Sequence, residues 1–222
     1  MKLSESTVEI LKNFSTINQS LLFRKGSVLT TVAPTMTILA TATIAEKFPS
    51  DFAIYDLNKF LAKLSLYREC KLEFKDDRVF FKSSDGRRSD YIKFCSTKVI
   101  KVPPEKQLSL DDPTYEFVLT EEDLQWQRKS AGISGSQHLV FRADGKKIYL
   151  QSTDVKDDSS DLSSTEICDT TGKFLCVVKV ENWKMLDGSY RVKIKEGMVK
   201  FEHTEKHLEY YVAIESSLSK FN

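Results

Sequence analysis

Cysteine is scarce: four residues in 222, at Cys70, Cys95, Cys168 and Cys176, with no CxxC pair. That excludes a disulfide framework, and the four read as reduced thiols of a cytosolic protein. No apolar run approaches the roughly 18 residues that a membrane span needs. The start, Met1-Lys2-Leu3-Ser4-Glu5, lacks the apolar core of a secretory signal. Nor is there a surplus of charge of one sign. Lys and Arg number 33 against 32 Asp and Glu, a net of +1, which excludes a strongly basic nucleic-acid binder at the level of the whole chain. What is present is ample apolar content, 41% hydrophobic beside 29% charged. A buried core is therefore expected, and disorder throughout is excluded. At roughly 100–200 residues per domain, the length allows one large domain or two small ones.

The charge is unevenly spread. Residues 1–107 carry 18 Lys and Arg against 12 Asp and Glu, whereas residues 108–222 carry 15 against 20. A basic half and an acidic half can attract a second copy head to tail. Between them, residues 98–113 hold Pro103, Pro104 and Pro113, three of the five prolines. Proline has no amide proton to give a ladder, so this stretch reads as an extended linker. The expected organisation is an N-terminal domain over 1–104, a linker over 105–113 and a C-terminal domain over 114–222.

The two sides repeat. Leu3-Ser4-Glu5 matches Leu119-Thr120-Glu121 at an offset of 116, and both place a hydroxyl where a helix N-cap belongs. Leu22-Phe23-Arg24 is similar to Val140-Phe141-Arg142. Lys71–Lys75 matches Arg191–Lys195, Phe81 matches Phe201, and Tyr91–Phe94 matches Tyr211–Ile214, all at an offset of 120. The shared order implies two domains of one topology.

Most of each half alternates apolar and polar residues, the pattern of half-buried antiparallel strands. Val28–Val32, Thr37–Thr43, Lys71–Lys75, Lys147–Gln151, Arg191–Lys195 and Val199–Glu202 are examples. Asp85-Gly86, Asp144-Gly145 and Glu196-Gly197 supply turns. Four helices are expected. The first, Glu5–Ile17, gathers Ile10, Leu11, Phe14 and Ile17 on one face. The second, Leu57–Tyr67 after an Asp56 cap, carries Leu57, Phe60, Leu61 and Leu64 as its stripe, with Lys59 and Lys63 together on the opposite side. The third is Glu121–Ser130, with Arg128 and Lys129 in its last turn. The fourth is Val180–Leu186, holding Lys184 and stopped by Asp187-Gly188.

Catalytic and metal chemistry finds little support. His203 and His207 stand four apart, but in a turn between strands and with no third ligand near in sequence. His138 reads as a strand-edge residue. Cys176, inside the apolar run Phe174–Val178, is a small core residue. Asp154, Asp157, Asp158 and Asp161 lack the glycine and terminal glutamate of a calcium loop and read as a solvated acidic loop. Gly132–Gly135 has no lysine after it, so a phosphate loop is unsupported. Trp126 is off the face of Leu124 and is expected to anchor between elements. No catalytic residue, metal or cofactor is expected.

A family resemblance adds to this. Met1-Lys2-Leu3-Ser4, Leu11-Lys12-Asn13-Phe14 and Thr16-Ile17-Asn18 resemble the start of the DNA polymerase sliding clamps of T-even-type bacteriophages, as does Phe52–Asn58 with Phe60-Leu61 and Leu64-Ser65-Leu66. In the second half Glu122–Gln125, Arg128, Ser130, Gly132, Asn182, Lys184-Met185, Gly188 and Tyr190 are similar, and so is Tyr211–Glu215. Gln151–Thr171 departs most. The resemblance implies the α+β DNA clamp fold: two similar domains, each of antiparallel sheets with two helices, assembling as a homotrimeric ring. Its helices line a hole around duplex DNA, read without regard to sequence. It implies a phage DNA polymerase as tethered client, an ATP-driven clamp loader, and late-transcription factors with host RNA polymerase, all in the host cell cytoplasm. Under it Lys12, Lys59, Lys63, Arg128, Lys129 and Lys184 are the expected DNA-facing cations. Lysine suits a sliding ring because it attracts phosphate without bidentate locking. Val102, Pro103, Leu108, Leu218 and Phe221, from the linker and the tail, are the expected apolar contacts for client peptides. The competing reading is a monomeric β-rich adaptor that binds peptides and does not enclose DNA.

Overall fold

The alternating segments become antiparallel strands, and every pairing described below is antiparallel. The structure, a computed structural model, describes residues 1–104 and 108–221. The chain divides into two compact units, Met1–Lys106 and Gln107–Asn222. Glu105, Lys106 and Gln107, at the start of the expected linker, and Asn222 at the end of the tail lie outside the described residues.

Unit 1 runs α1 (Glu5–Ile17), β1 (Leu21–Phe23), β2 (Gly26–Val32), β3 (Ile38–Phe48), β4 (Phe52–Ile54), α2 (Leu57–Ser65), β5 (Cys70–Phe74), β6 (Arg78–Ser83) and β7 (Ser89–Lys93). α1 starts where its cap demands. The Ser4 hydroxyl accepts from the Thr7 amide at 3.3 Å, and Glu46 of β3 accepts from the Ser4 amide and from the Thr7 hydroxyl. Burial alone would raise the Glu46 carboxyl, but those hydrogen bonds outweigh it and hold it below its ordinary value. α2 is capped by Asp56, which accepts from the Lys59 amide at 2.8 Å. The apolar stripes of both helices are buried at Ile10, Leu11, Phe14, Ile17, Leu57, Phe60 and Leu61. β1 pairs with β4, β2 with β3, and β5, β6 and β7 form a three-stranded meander. Phe23 stacks on Phe52 at 4.6 Å in the core.

Unit 2 runs β8 (Tyr115–Leu119), α3 (Glu121–Ser134), β9 (His138–Asp144), β10 (Lys147–Thr153), β11 (Ser163–Asp169), β12 (Lys173–Lys179), β13 (Tyr190–Lys195), β14 (Met198–His203), β15 (Leu208–Ala213) and β16 (Lys220–Phe221). One sheet has the order β11-β10-β9-β12-β16, and β15, β14, β13 and β8 are neighbours in that order. α3 is capped by Thr120, which accepts from the Asp123 amide at 3.2 Å, and ends at Gly135 with φ 62°, a backbone state that suits glycine. It is one turn longer than the sequence pattern suggests. Cys176 is fully buried, and burial pushes its thiol up to about 12.

The repeat is real at the level of hydrogen-bond register. In β5–β6–β7 the partners are Leu72↔Phe81 and Phe80↔Tyr91. In β13–β14–β15 they are Val192↔Phe201 and Lys200↔Tyr211. Each pair is displaced by 120 residues from its counterpart. The two caps, Ser4 and Thr120, differ by 116.

One expectation fails. The fourth helix is absent. Val180–Asn182 is a single 3₁₀ turn without a side-chain cap, and an irregular segment follows. The buried apolar side chains there are Trp183 and Met185, a spacing of two that does not put them on one face of a helix. Unit 2 therefore has one α-helix among its described residues. The tail is held on a sheet of unit 2. β16 pairs with β12 at Phe174↔Phe221 and Leu175↔Lys220. The Glu215 amide donates to the Val177 carbonyl at 2.8 Å, the Val177 amide donates to the Ser219 hydroxyl at 3.0 Å, and the Phe221 ring lies 6.2 Å from that of Phe174.

Candidate DNA-binding and client surfaces

The expected cations divide into two sets. Lys12 on α1, Lys59 on α2 and Lys129 on α3 are exposed. Each lies off the buried stripe of its helix, because the apolar spacing consumes the other side. α1 and α2 pack against each other, so Lys12 and Lys59 belong to one layer of unit 1.

The other three are engaged. The Lys63 ammonium forms an ion pair with Asp90 of β7, and its hydrogen bond to Asp90 holds that carboxyl below the usual range. The face of α2 carries no acid in sequence, but a strand supplies one. Arg128 reaches Asp187 Oδ1 at 2.6 Å and also donates to the Met185 carbonyl. It thereby pins the irregular segment that replaces the expected helix. Lys184, within that segment, is half-buried and not free.

Sequence reasoning missed Asp90, and the signal was there. β7 alternates, and Asp90 shares its phase with Ile92 toward the core side. An acid in that phase requires a cation. It also missed Gln127, fully buried in α3, whose side-chain amide donates to the Leu150 carbonyl at 2.7 Å and to the Thr165 hydroxyl at 3.0 Å. Leu124, Gln127 and Ala131 form the buried face of α3. Trp126 falls off that face and is 50% exposed, so it is not the inter-element anchor that was expected.

Of the expected client contacts, Val102 and Pro103 are half-buried in unit 1. In unit 2, Leu108 is exposed and Leu218 and Phe221 are half-buried. Lys220 lines a groove of about 400 Å³ with Val140, Arg142, Val155, Lys173 and Leu175. Its floor is apolar and three cations rim it. His138 is buried at the head of β9, its Nδ1 3.3 Å from an Asp154 carboxylate oxygen. His203 Nδ1 accepts from the amides of Glu205 and Lys206 and shapes the turn after β14. Among the described residues, no group of three or more His, Cys, Asp and Glu side chains is placed to hold a metal.

Comparison with known proteins fits this architecture. Over residues 2–75 the chain matches the family described as DNA polymerase processivity factor. It is 31% identical to the sliding clamp of Vibrio phage KVP40 over 97% of this chain and 100% of that protein. The chain belongs to the sliding clamp family. The sliding clamp of Enterobacteria phage T4 is 30% identical, with 97% of each chain covered. A. fulgidus PCNA, solved with the C-terminal region of FEN-1 bound, has the same fold. Its TM-score is 0.70 at 14% identity, with 96% of this chain and 98% of that chain covered. A clamp of this family is a processivity factor, and the two-unit repeat is its clamp fold. No helix among the described residues is long and apolar enough to cross a membrane.

Proposed function

We propose that this clamp closes as a homotrimeric ring around duplex DNA and tethers a phage replicative polymerase, with no catalytic step of its own. The observation that carries the reading is the full-length relationship to phage sliding clamps. The internal repeat supports it, since like units joined head to tail generate a ring when the rotation closes. Two sheet edges suit such a joint. β7 ends one order and β11 another, and an unpaired edge is a template for a further strand. The turn before β7 bears Arg87 and Arg88. β11 and the loop before it bear Asp157, Asp158, Asp161, Glu166 and Asp169. Lys147 holds both Glu166 and Asp169 at 2.7 Å, and that edge remains net acidic.

Within the ring, Lys12, Lys59 and Lys129 attract phosphate weakly and without reading bases. Lys63, Arg128 and Lys184 act chiefly by setting the shape of the surface. Phosphate contacts weaken steeply with salt, at a log–log slope of about −0.9 per phosphate neutralised. Retention on DNA therefore comes from enclosure. Enclosure also requires an opening step, for which an ATP-driven loader is the agent, in the host cell cytoplasm. The polymerase is held near the primer end at high effective concentration. Client peptides, from the polymerase and from late-transcription factors that engage host RNA polymerase, contact Val102 and Pro103 in unit 1 and Leu108, Leu218 and Phe221 in unit 2.

The test is primer extension with polymerase and loader, comparing wild type with Lys12→Glu, Lys59→Glu and Lys129→Glu combined. Shortened products from a folded variant of unchanged oligomeric mass support the reading. Wild-type processivity would remove these helices from the DNA. Lys63 is left unaltered, because a glutamate there would face Asp90 and confound folding with binding.

A further inference from the structure

The outward face of the β5–β6–β7 meander carries chemistry that the clamp role leaves unused. Register arranges it in three rows: Lys71, Lys82 and Ser89; then Glu73, Phe80 and Tyr91; then Arg78 and Lys93. An aromatic row is thus flanked on both sides by cations. The Phe80 and Tyr91 rings are 5.7 Å apart. The Arg78 guanidinium lies 4.7 Å from the Tyr91 ring centre, and the Lys82 ammonium 5.9 Å from that of Phe80. Tyr91 is 43% exposed. The acids are few. Glu73 is shared between Lys75 and Lys82, and Asp77 pairs with Arg78. Lys71 and Lys93 are exposed and make no ion pair among the described residues.

The equivalent face of unit 2 carries different chemistry. Its rows are Arg191, Glu202 and Glu209; Lys193, Lys200 and Tyr211; Lys195, Met198 and Ala213. There Arg191 pairs with Glu116, Lys193 with Glu202, and Lys200 with Glu202 and Glu209. Tyr211 is 4% exposed, with Lys200 5.1 Å from its ring centre. The same strands in the same register carry a neutralised, closed face in one unit and a cationic, open aromatic face in the other.

We propose that this face of unit 1 binds single-stranded nucleic acid. Bases stack on Tyr91 and Phe80, and the backbone runs over the lysine and arginine rows. Exposed rings flanked by cations are the general means of holding a single strand without reading its sequence. A duplex hides its base faces within the stack and has no use for the rings. An acidic peptide would use the cations and leave the rings idle. The inference goes beyond the ring and does not depend on it.

The experiment is fluorescence anisotropy of a labelled oligothymidylate of about 15 nucleotides with the full-length protein. Tyr91→Ala is expected to weaken binding about tenfold. Lys71→Gln with Lys93→Gln is expected to flatten the log–log salt slope by about 1.4, at about 0.7 per charge on a single strand. This second variant keeps the test open if Tyr91→Ala does not fold, which circular dichroism reads. Lys193→Gln in unit 2 is expected to leave affinity within twofold. Loss of binding in Lys193→Gln alone would place the single strand on unit 2 and overturn the proposal. So would unchanged affinity in Tyr91→Ala, or a glutamate-rich peptide that displaces the oligomer and is indifferent to Tyr91→Ala. A processivity defect in the helix variants bears on the ring and not on this face.

Discussion

Units 1 and 2 use one plan for different ends. Leu72 opposite Phe81 and Val192 opposite Phe201 occupy the same register site, and all four are buried. Their outward neighbours diverge. Phe80 and Lys200 are equivalent, as are Lys82 and Glu202, and Lys93 and Ala213. The core-facing phase of a strand is fixed by burial, since a one-residue slip would expose the whole apolar set. The outward phase is free to carry charge. A duplicated domain can therefore keep its core while the outward faces of its two copies come to carry different charges and rings.

The largest effect should come from the shared core. Phe81→Ala and Phe201→Ala should each cost about 3–5 kcal/mol, read by denaturant unfolding of the two variants side by side. A large loss in one and a trivial loss in the other would break the equivalence of the units.

A smaller effect should come from what only unit 2 possesses. Removing residues 216–222 deletes β16 and the Ser219 hydroxyl that receives the Val177 amide. The expected loss is about 2 kcal/mol at about 1 kcal/mol per hydrogen bond, with a lowered Tm as well as weaker client binding. Full stability of the shortened chain would return the tail to the status of a loose end. A similar cost is expected for Gly188→Ala. Gly188 has φ 139°, and a Cβ there would collide with the His203 ring. Its equivalent in unit 1 is Arg68, opposite no such ring, so Arg68→Ala should be near neutral by thermal melting.

The caps give the smallest effects. Ser4→Ala and Thr120→Ala should each cost about 1 kcal/mol, and the Ser4 amide keeps its bond to Glu46 in the variant. Glu46 adds a pH dependence at the cap of α1. Its folded value lies below the ordinary 4.5, so its contribution is complete above that value and is lost as pH falls through the lower one. Wild type should lose this increment on acidification, and Glu46→Gln should not, in melts between neutral pH and pH 3.

Much of the fold was legible because periodicity reports burial. α1 is found where Ile10, Leu11, Phe14 and Ile17 place it, and the 120-residue offset anticipated a shared register. The fourth helix misled because Asp187-Gly188 resembles a helix stop and Lys184 a last-turn cation, whereas Trp183 and Met185 bury two apart in an irregular segment. The fate of the cations was less legible. Whether Lys63 is free depends on Asp90, 27 residues away, and Arg128 on Asp187, 59 away. A helical wheel shows which side a residue takes, not what a neighbouring strand or loop brings to meet it. Trp126 illustrates the same limit, since the wheel excluded it from the stripe without revealing that nothing would cover it.

The central claim, a closed head-to-tail ring, is tested most directly by mass in solution. Sedimentation equilibrium over a range of protein and salt concentrations should give a species of three times 25.4 kDa, loosening as salt screens the basic and acidic edges. A strictly monomeric chain at high protein and low salt would contradict the ring and favour the peptide-binding adaptor.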